Sequence, residues 1–166
     1  FYAEWPGEDY EGSSCRGAMK GWHKHGACAQ GLWRKSVHRK LKRHYKPDPM
    51  WATDATGRPV GVYYRVDHRS VTDMQAAINE MGAIYVSAAV HAGWDIPTAT
   101  KPPKIASHAD LPVIDFEATT KPDGAHAFAL VGYNEDGFVV QNSWGPTWGA
   151  HGFAIMAYAD WVAHGT

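Results

Sequence analysis

The sequence predicts an α+β fold, in which helices near the start of the chain are followed by a strand-rich remainder. Three observations predict it. Apolar residues recur with helical spacing after Ser13. A strand–helix–strand order covers residues 62–90, and short apolar segments separated by turn residues fill residues 126–158. With 166 residues, the chain is long enough to bury the core that such a fold needs.

Composition excludes several classes of protein before any motif is considered. Hydrophobic residues make up 45% of the chain and charged residues 20%, which is typical of a folded globular protein. The net charge of −1 gives no overall attraction to nucleic acid, and no apolar run reaches the roughly 18 residues that a membrane span needs. We therefore expect no nucleic-acid partner and no membrane span. Because residue 1 is Phe and not Met, we also expect a processed product or a part of something longer.

The first predicted helix begins after Ser13 or Ser14, either of which can cap its free N–H groups. Gly26 can end it in a left-handed turn. Its predicted apolar face holds four residues at positions i, i+3, i+4 and i+7: Cys15, Ala18, Met19 and Trp22.

The strongest charge cluster is the run 34–46, which contains seven Lys and Arg residues. A short basic helix with a solvated face is the favoured interpretation. A docking patch for an acidic partner is the alternative. Nucleic acid is the weakest candidate partner because no aromatic stacking platform accompanies the charge.

Residues 47–61 are rich in Pro and Gly and predict a linker between two domains, 1–50 and 51–166. We expect the second domain to contain one helix, five strands and a long surface loop. These are a strand at Val62–Val66, a helix at Val71–Met81, a strand at Ala83–Val90, a loop over 92–125, and strands at Ala127–Tyr133, Gly137–Asn142 and Gly152–Tyr158.

A histidine and an asparagine lie on two of these strands, which are joined by a short turn containing glycine. A hairpin returns its second strand alongside its first, so His126 and Asn142 can become neighbours. An imidazole held by a side-chain amide is the base and the orienting group of a nucleophilic catalytic apparatus. The pattern therefore indicates a catalytic pair.

The residues around this pair resemble the C-terminal half of papain-family cysteine peptidases. The matching segments are His126-Ala-Phe-Ala-Leu-Val-Gly-Tyr133 and Asn142-Ser-Trp-Gly-Pro-Thr-Trp-Gly-Ala-His-Gly152. The resemblance implies an α+β, papain-like two-lobe fold from which the N-terminal part of the helical lobe is missing. Residues 1–50 would be the remainder of that lobe, and residues 51–166 the β-rich lobe that carries the His/Asn pair.

The resemblance also implies roles for particular residues. His126 would be the general base and acid, Asn142 would orient its ring, and Trp144 would shield the bond between them, with Trp148 as further support. Gly12 would line the cleft and pair with the substrate backbone, because a glycine-containing segment precedes the corresponding helix in the family.

The nucleophilic cysteine is not evident in this sequence. Cys15 lacks the aromatic residue that follows the family's nucleophile, and no glutamine for an oxyanion hole precedes it. A position in the first turn of a helix favours the thiolate form of a cysteine, so a role as nucleophile stays open for Cys15 beside a structural role. Cys28, just past a helix end, is interpreted as structural. We expect the nucleophile to lie upstream of residue 1.

The function that the resemblance implies is peptide-bond hydrolysis by a Cys-His-Asn apparatus, without a cofactor. The partners would be a peptide or protein substrate and a companion segment or chain that supplies the catalytic Cys. The alternative is a non-catalytic papain-like domain that acts as a binding or assembly subunit. We expect no metal site, because His23 and His25 point in different directions on a helix and neither an H-E-x-x-H nor a C-x-x-C motif occurs.

Overall fold

The structure is a computed structural model, and it describes residues 14–33, 48–96, 107–119, 121–122 and 124–166. The chain forms two compact units, residues 1–64 and residues 65–166. Among the described residues, no helix is long and apolar enough to cross a membrane. The division predicted between residues 50 and 51 stays a prediction. Gly12 and the basic run 34–46 lie outside the described residues.

The described part of the first unit contains three helices: α1 (Cys15–His25), α2 (Gln30–Trp33) and α3 (Trp51–Thr56). The predicted caps of α1 are confirmed, since the Ser14 side chain accepts from Gly17 N–H and Gly26 adopts φ 76°. Gly26 is required here because a Cβ would lie 1.7 Å from the Ala55 carbonyl oxygen. The α3 helix lies within the segment predicted as a linker.

The predicted apolar face of α1 is only partly buried in the structure. Cys15 and Met19 are half-buried, whereas Trp22 is 45% exposed. The Trp22 indole lies at the rim of the unit, where its Nε1–H donates to the Arg58 carbonyl at 3.0 Å. The helical phase predicts which residues share a face with Cys15, but it does not reveal how much of that face is covered.

The second unit is a four-stranded antiparallel sheet of order β1-β2-β3-β4 with helices packed against it. Its elements are α4 (Val71–Met81), β1 (Ile84–Val90), β2 (Gly124–Tyr133), β3 (Gly137–Gln141), β4 (Phe153–Ala157) and α5 (Tyr158–His164). Ser70 caps the start of α4 and Gly82 ends it in a left-handed conformation.

Both faces of the sheet bury apolar side chains, since residues alternate between faces along each strand. One face packs under α4, α5 and three buried tryptophans, Trp94, Trp148 and Trp161. Leu111 covers the other face, against Val139, Ala150 and Ile155. The segment predicted as a surface loop over 92–125 is thus partly packed, and Val113 forms a bridge to Ile155.

Two expectations about secondary structure differ from the structure. Residues 62–66 form no strand, because no described strand pairs with them, and Val62 and Tyr64 are strongly exposed. The last strand ends at Ala157, and the chain turns directly into α5.

Candidate active site

The hairpin of β2 and β3 brings His126 and Asn142 together. Ala129 lies opposite Gln141 in the register, so Asn142 follows at the position beside Phe128. His126 and Phe128 share one face of β2 because they are two residues apart. Asn142 is therefore a diagonal cross-strand neighbour of His126, a separation that their side chains can span.

The His126 ring forms a hydrogen bond with the Asn142 side chain. The Nε2 atom lies 2.8 Å from Oδ1, and Oδ1 also accepts from the Ser143 backbone N–H at 2.7 Å. A backbone N–H can only donate, so the amide oxygen must face both groups. His126 Nε2 must then carry the hydrogen of this bond. In a neutral ring, Nδ1 is left as the basic atom, and none of the described residues forms a hydrogen bond with it.

The same orientation leaves the Asn142 Nδ2 group buried without a hydrogen-bond partner among the described residues. Asn142 is only 9% exposed. An unsatisfied buried donor costs about 1–3 kcal/mol. The Asn142 oxygen, and not its nitrogen, faces His126, and this orientation fixes the tautomer of the neutral ring.

The loop after Asn142 depends on glycines that take conformations unfavourable for other residues. Gly145 has φ 99° and Gly149 has φ 52°, and a Cβ on Gly149 would lie 2.4 Å from the Phe153 carbonyl oxygen. The loop closes where Asn142 N–H donates to the Gly152 carbonyl at 2.8 Å. This geometry explains the glycine spacing of the motif and holds Asn142 at the end of β3.

Aromatic rings pack around the His126 imidazole. The Trp144 ring lies 4.7 Å from the His126 ring at an angle of 34°, and Trp144 remains 39% exposed. Trp148 is buried and lies edge-on to Trp144 at 5.9 Å. Indoles packed against the half-buried His126 ring reduce the access of water, which would otherwise compete for the hydrogen bond to Asn142.

Trp94 is a member of this cluster that the sequence analysis missed. Its ring is 1% exposed and lies 6.3 Å from His126 and 6.0 Å from Trp144. The Trp94 carbonyl accepts from the Trp148 indole N–H at 2.8 Å. The available signal was a tryptophan in the short segment after the predicted strand Ala83–Val90, but only the tertiary fold shows what it contacts.

The remaining candidate residues lie in the first unit. Cys15 is the first residue of α1 and is half-buried. Cys28 is also half-buried, in the turn between α1 and α2. The described residues thus bring together His126, Asn142, Trp144 and Trp148 within one unit.

Comparison with known families agrees with this arrangement. The family model described as "Papain family cysteine protease" matches residues 11–163. The chain therefore belongs to the papain family of cysteine proteases. An uncharacterized peptidase C1-like protein of Acanthamoeba polyphaga mimivirus is 26% identical over 157 residues, which cover 91% of this chain and 48% of that protein. The chain thus spans about half the length of this curated relative.

Solved structures show the same fold. Xylellain, a cysteine protease from Xylella fastidiosa, superposes with a TM-score of 0.72 at 21% identity, over 93% of this chain and 59% of that one. Digestive procathepsin L 3 from the Tenebrio molitor larval midgut gives a TM-score of 0.59 at 14% identity, over 93% and 48%. The predicted α+β papain-like fold is confirmed.

Proposed function

We propose that this chain carries the imidazole half of a cysteine peptidase active site. His126 is the general base and acid, Asn142 orients its ring, Trp144 shields the bond between them, and Trp148 supports this arrangement. The observation that carries the proposal is the bond from His126 Nε2 to an Asn142 oxygen that the Ser143 N–H also engages. This pairing directs the basic Nδ1 atom of a neutral ring away from Asn142, toward a reacting group.

The chemistry follows from a thiolate paired with an imidazolium. The thiolate sulfur attacks the carbonyl carbon of a peptide bond and forms a tetrahedral intermediate. The His126 Nδ1–H gives its proton to the leaving amine as the C–N bond breaks, which leaves a thioester. A water molecule then attacks the thioester while His126 takes its proton, and the sulfur departs as thiolate. No cofactor takes part in these steps.

We further propose that neither cysteine of this chain is the nucleophile. Cys15 is followed by Arg16 where an aromatic residue is typical of the family, and none of the residues before it is a glutamine. A companion segment or chain outside these 166 residues would supply the thiolate and the oxyanion donor. Gly12 stays a proposed contact with the substrate backbone. Membership of a peptidase family makes peptides or proteins the expected substrate class.

A fluorogenic peptide assay tests this proposal. The purified chain alone should show no turnover, because an oriented base without a nucleophile or oxyanion donors leaves only positioning. Addition of the proposed companion segment or chain should give turnover that His126→Ala abolishes. His108→Ala is the matched control, since His108 is an exposed histidine of the same unit. Turnover by the chain alone, lost in Cys15→Ser, would contradict the assignment of the nucleophile.

A further inference from the structure

A buried cluster of two histidines and one carboxylate lies where the end of β1 meets α5. His91 Nε2 is 3.2 Å from both oxygens of Asp160, and His164 Nδ1 is 2.8 Å from Oδ1. The side chains of His91 and Asp160 are fully buried. The Phe116 ring packs against both imidazoles, at 6.0 and 5.6 Å. A carboxylate in such apolar surroundings is costly unless it is hydrogen-bonded, so the cluster holds these elements together.

The hydrogen bonds of His91 show whether this cluster is suited to bind a metal ion or to form a hydrogen-bonded network. Two histidines and a carboxylate are zinc ligands, and their ligand atoms lie within 4.8 Å of one another. However, the Gly93 backbone N–H donates to His91 Nδ1 at 3.2 Å. That nitrogen must therefore be the acceptor, and Nε2 carries the hydrogen that Asp160 accepts. A metal on Nε2 would move this hydrogen to Nδ1, opposite the Gly93 N–H. The geometry favours a hydrogen-bond donor over a metal ligand.

His91 connects the cluster to the aromatic cage of the candidate active site. It caps the 3₁₀ turn Ala92–Trp94: its ring accepts from Gly93, and its carbonyl accepts from the Trp94 N–H at 2.9 Å. The turn has little room to shift, since a Cβ on Gly93 would lie 1.8 Å from the Asp115 carbonyl oxygen. The Trp94 that ends the turn contacts His126 with its ring and Trp148 with its carbonyl.

We propose that His91 is a positioning residue for the active site, held in its orientation by Asp160. Its Nδ1 atom fixes the turn Ala92–Trp94, and thereby the Trp94 ring and carbonyl that support His126 and Trp148. Its Nε2–H separately anchors Asp160 and with it α5. The relevance of this role to catalysis rests on the proposed function, but the role itself can be measured without turnover.

Two variants of His91 separate its two bonds. In His91→Gln the side-chain nitrogen can reach the place of Nε2, which keeps the bond to Asp160 and removes the cap on Gly93. In His91→Asn the side-chain oxygen can take the place of Nδ1, which keeps the cap and removes the bond to Asp160. The effects of the variants are measured at two indole N–H groups, each of which donates a hydrogen bond of 2.8 Å. Trp148 donates to the Trp94 carbonyl, and Trp161 of α5 donates to the His68 carbonyl.

Hydrogen exchange of these indoles in the 166-residue chain tests the proposal. His91→Gln should speed exchange at Trp148 about tenfold, the equivalent of one hydrogen bond, and leave Trp161 unchanged. His91→Asn should speed exchange at Trp161 about tenfold and leave Trp148 unchanged. Equal acceleration of both indoles in both variants would mean a purely structural role and would overturn the proposal, as would an unchanged Trp148 in His91→Gln.

The wild-type chain provides a second measurement if a variant does not fold. Nitrogen NMR of the histidine rings should show His91 with hydrogen on Nε2 alone, and added zinc should leave its signals unchanged. Hydrogen on Nδ1 of His91, or a zinc-induced shift, would overturn the proposal. None of these outcomes depends on peptidase activity, so failure of the positioning role and failure of the proposed function are distinguishable.

Discussion

Replacement of Asn142 by alanine is the most informative perturbation of the candidate site. The amide oxygen accepts two hydrogen bonds, from His126 Nε2–H at 2.8 Å and from the Ser143 N–H at 2.7 Å. Alanine removes this acceptor and both of its hydrogen bonds, and it also removes the buried Nδ2 group that has no partner among the described residues. Loss of two hydrogen bonds and relief of one unsatisfied donor act in opposite directions. We therefore expect a stability change of no more than about 2 kcal/mol.

The effect on the imidazole should be larger than the effect on stability suggests. One hydrogen bond with a net value of about 0.5–1.5 kcal/mol biases the ring toward the Nε2–H tautomer by roughly 2- to 13-fold. Without it, the Nδ1–H tautomer becomes populated and the ring is free to rotate. A neutral ring with hydrogen on Nδ1 cannot accept the thiol proton at that atom. The kcat of the assembled enzyme should fall about tenfold, whereas KM should change little.

Nitrogen NMR of the His126 ring measures this prediction in the chain alone, and a peptide assay measures it in the assembled enzyme. Asn142→Asp is the matched control, because a carboxylate still accepts from both N–H groups and has no unsatisfied donor. The aspartate variant should retain hydrogen on Nε2. An alanine variant with the wild-type tautomer population and wild-type kcat would refute the orienting role of Asn142.

Two further predictions concern other parts of the molecule. Trp144→Ala should lower kcat with little loss of stability, because Trp144 is 39% exposed and packs over His126. Trp148→Ala should instead cost about 3–5 kcal/mol of unfolding free energy, because Trp148 lies in the core. Chemical denaturation and peptide turnover of both variants separate the two effects, and equal destabilisation would contradict this division. In the first unit, the bond from the Ala29 N–H and the ion pair with Arg58 lower the pKa of Asp54, so their contribution to stability should be present above the carboxyl's unfolded pKa and be lost as pH falls through the lower folded value. Exchange of the Ala29 amide, corrected for intrinsic rate, should speed up in acid in the wild type, and Asp54→Asn should remove that pH dependence; an unchanged profile in the variant would contradict it.

Much of the fold could be predicted because its signals are local. The caps of α1, the helix Val71–Met81 and the hairpin that carries His126 and Asn142 all depend on residues a few positions apart. The site geometry follows from that hairpin, since a diagonal cross-strand pair needs only the correct register.

The parts that could not be predicted depend on distant contacts. Residues 62–66 have the composition of a strand, but a strand needs a partner, and sequence alone does not supply one. The apolar run Phe153–Tyr158 contains no Gly or Pro to separate β4 from α5. His91 and Asp160 meet across 69 positions, and their pairing follows from tertiary packing alone. Trp94 was missed for the same reason.

Covalent labelling tests the central claim most directly. A thiol-directed epoxide would be added to the chain together with the proposed companion segment or chain, and mass spectrometry would locate the modified cysteine. The claim that His126 activates a thiolate outside these 166 residues predicts one rapidly labelled cysteine beyond this chain, with labelling abolished by His126→Ala and retained in Cys15→Ser. Rapid labelling of Cys15, or labelling that is indifferent to His126, would contradict it.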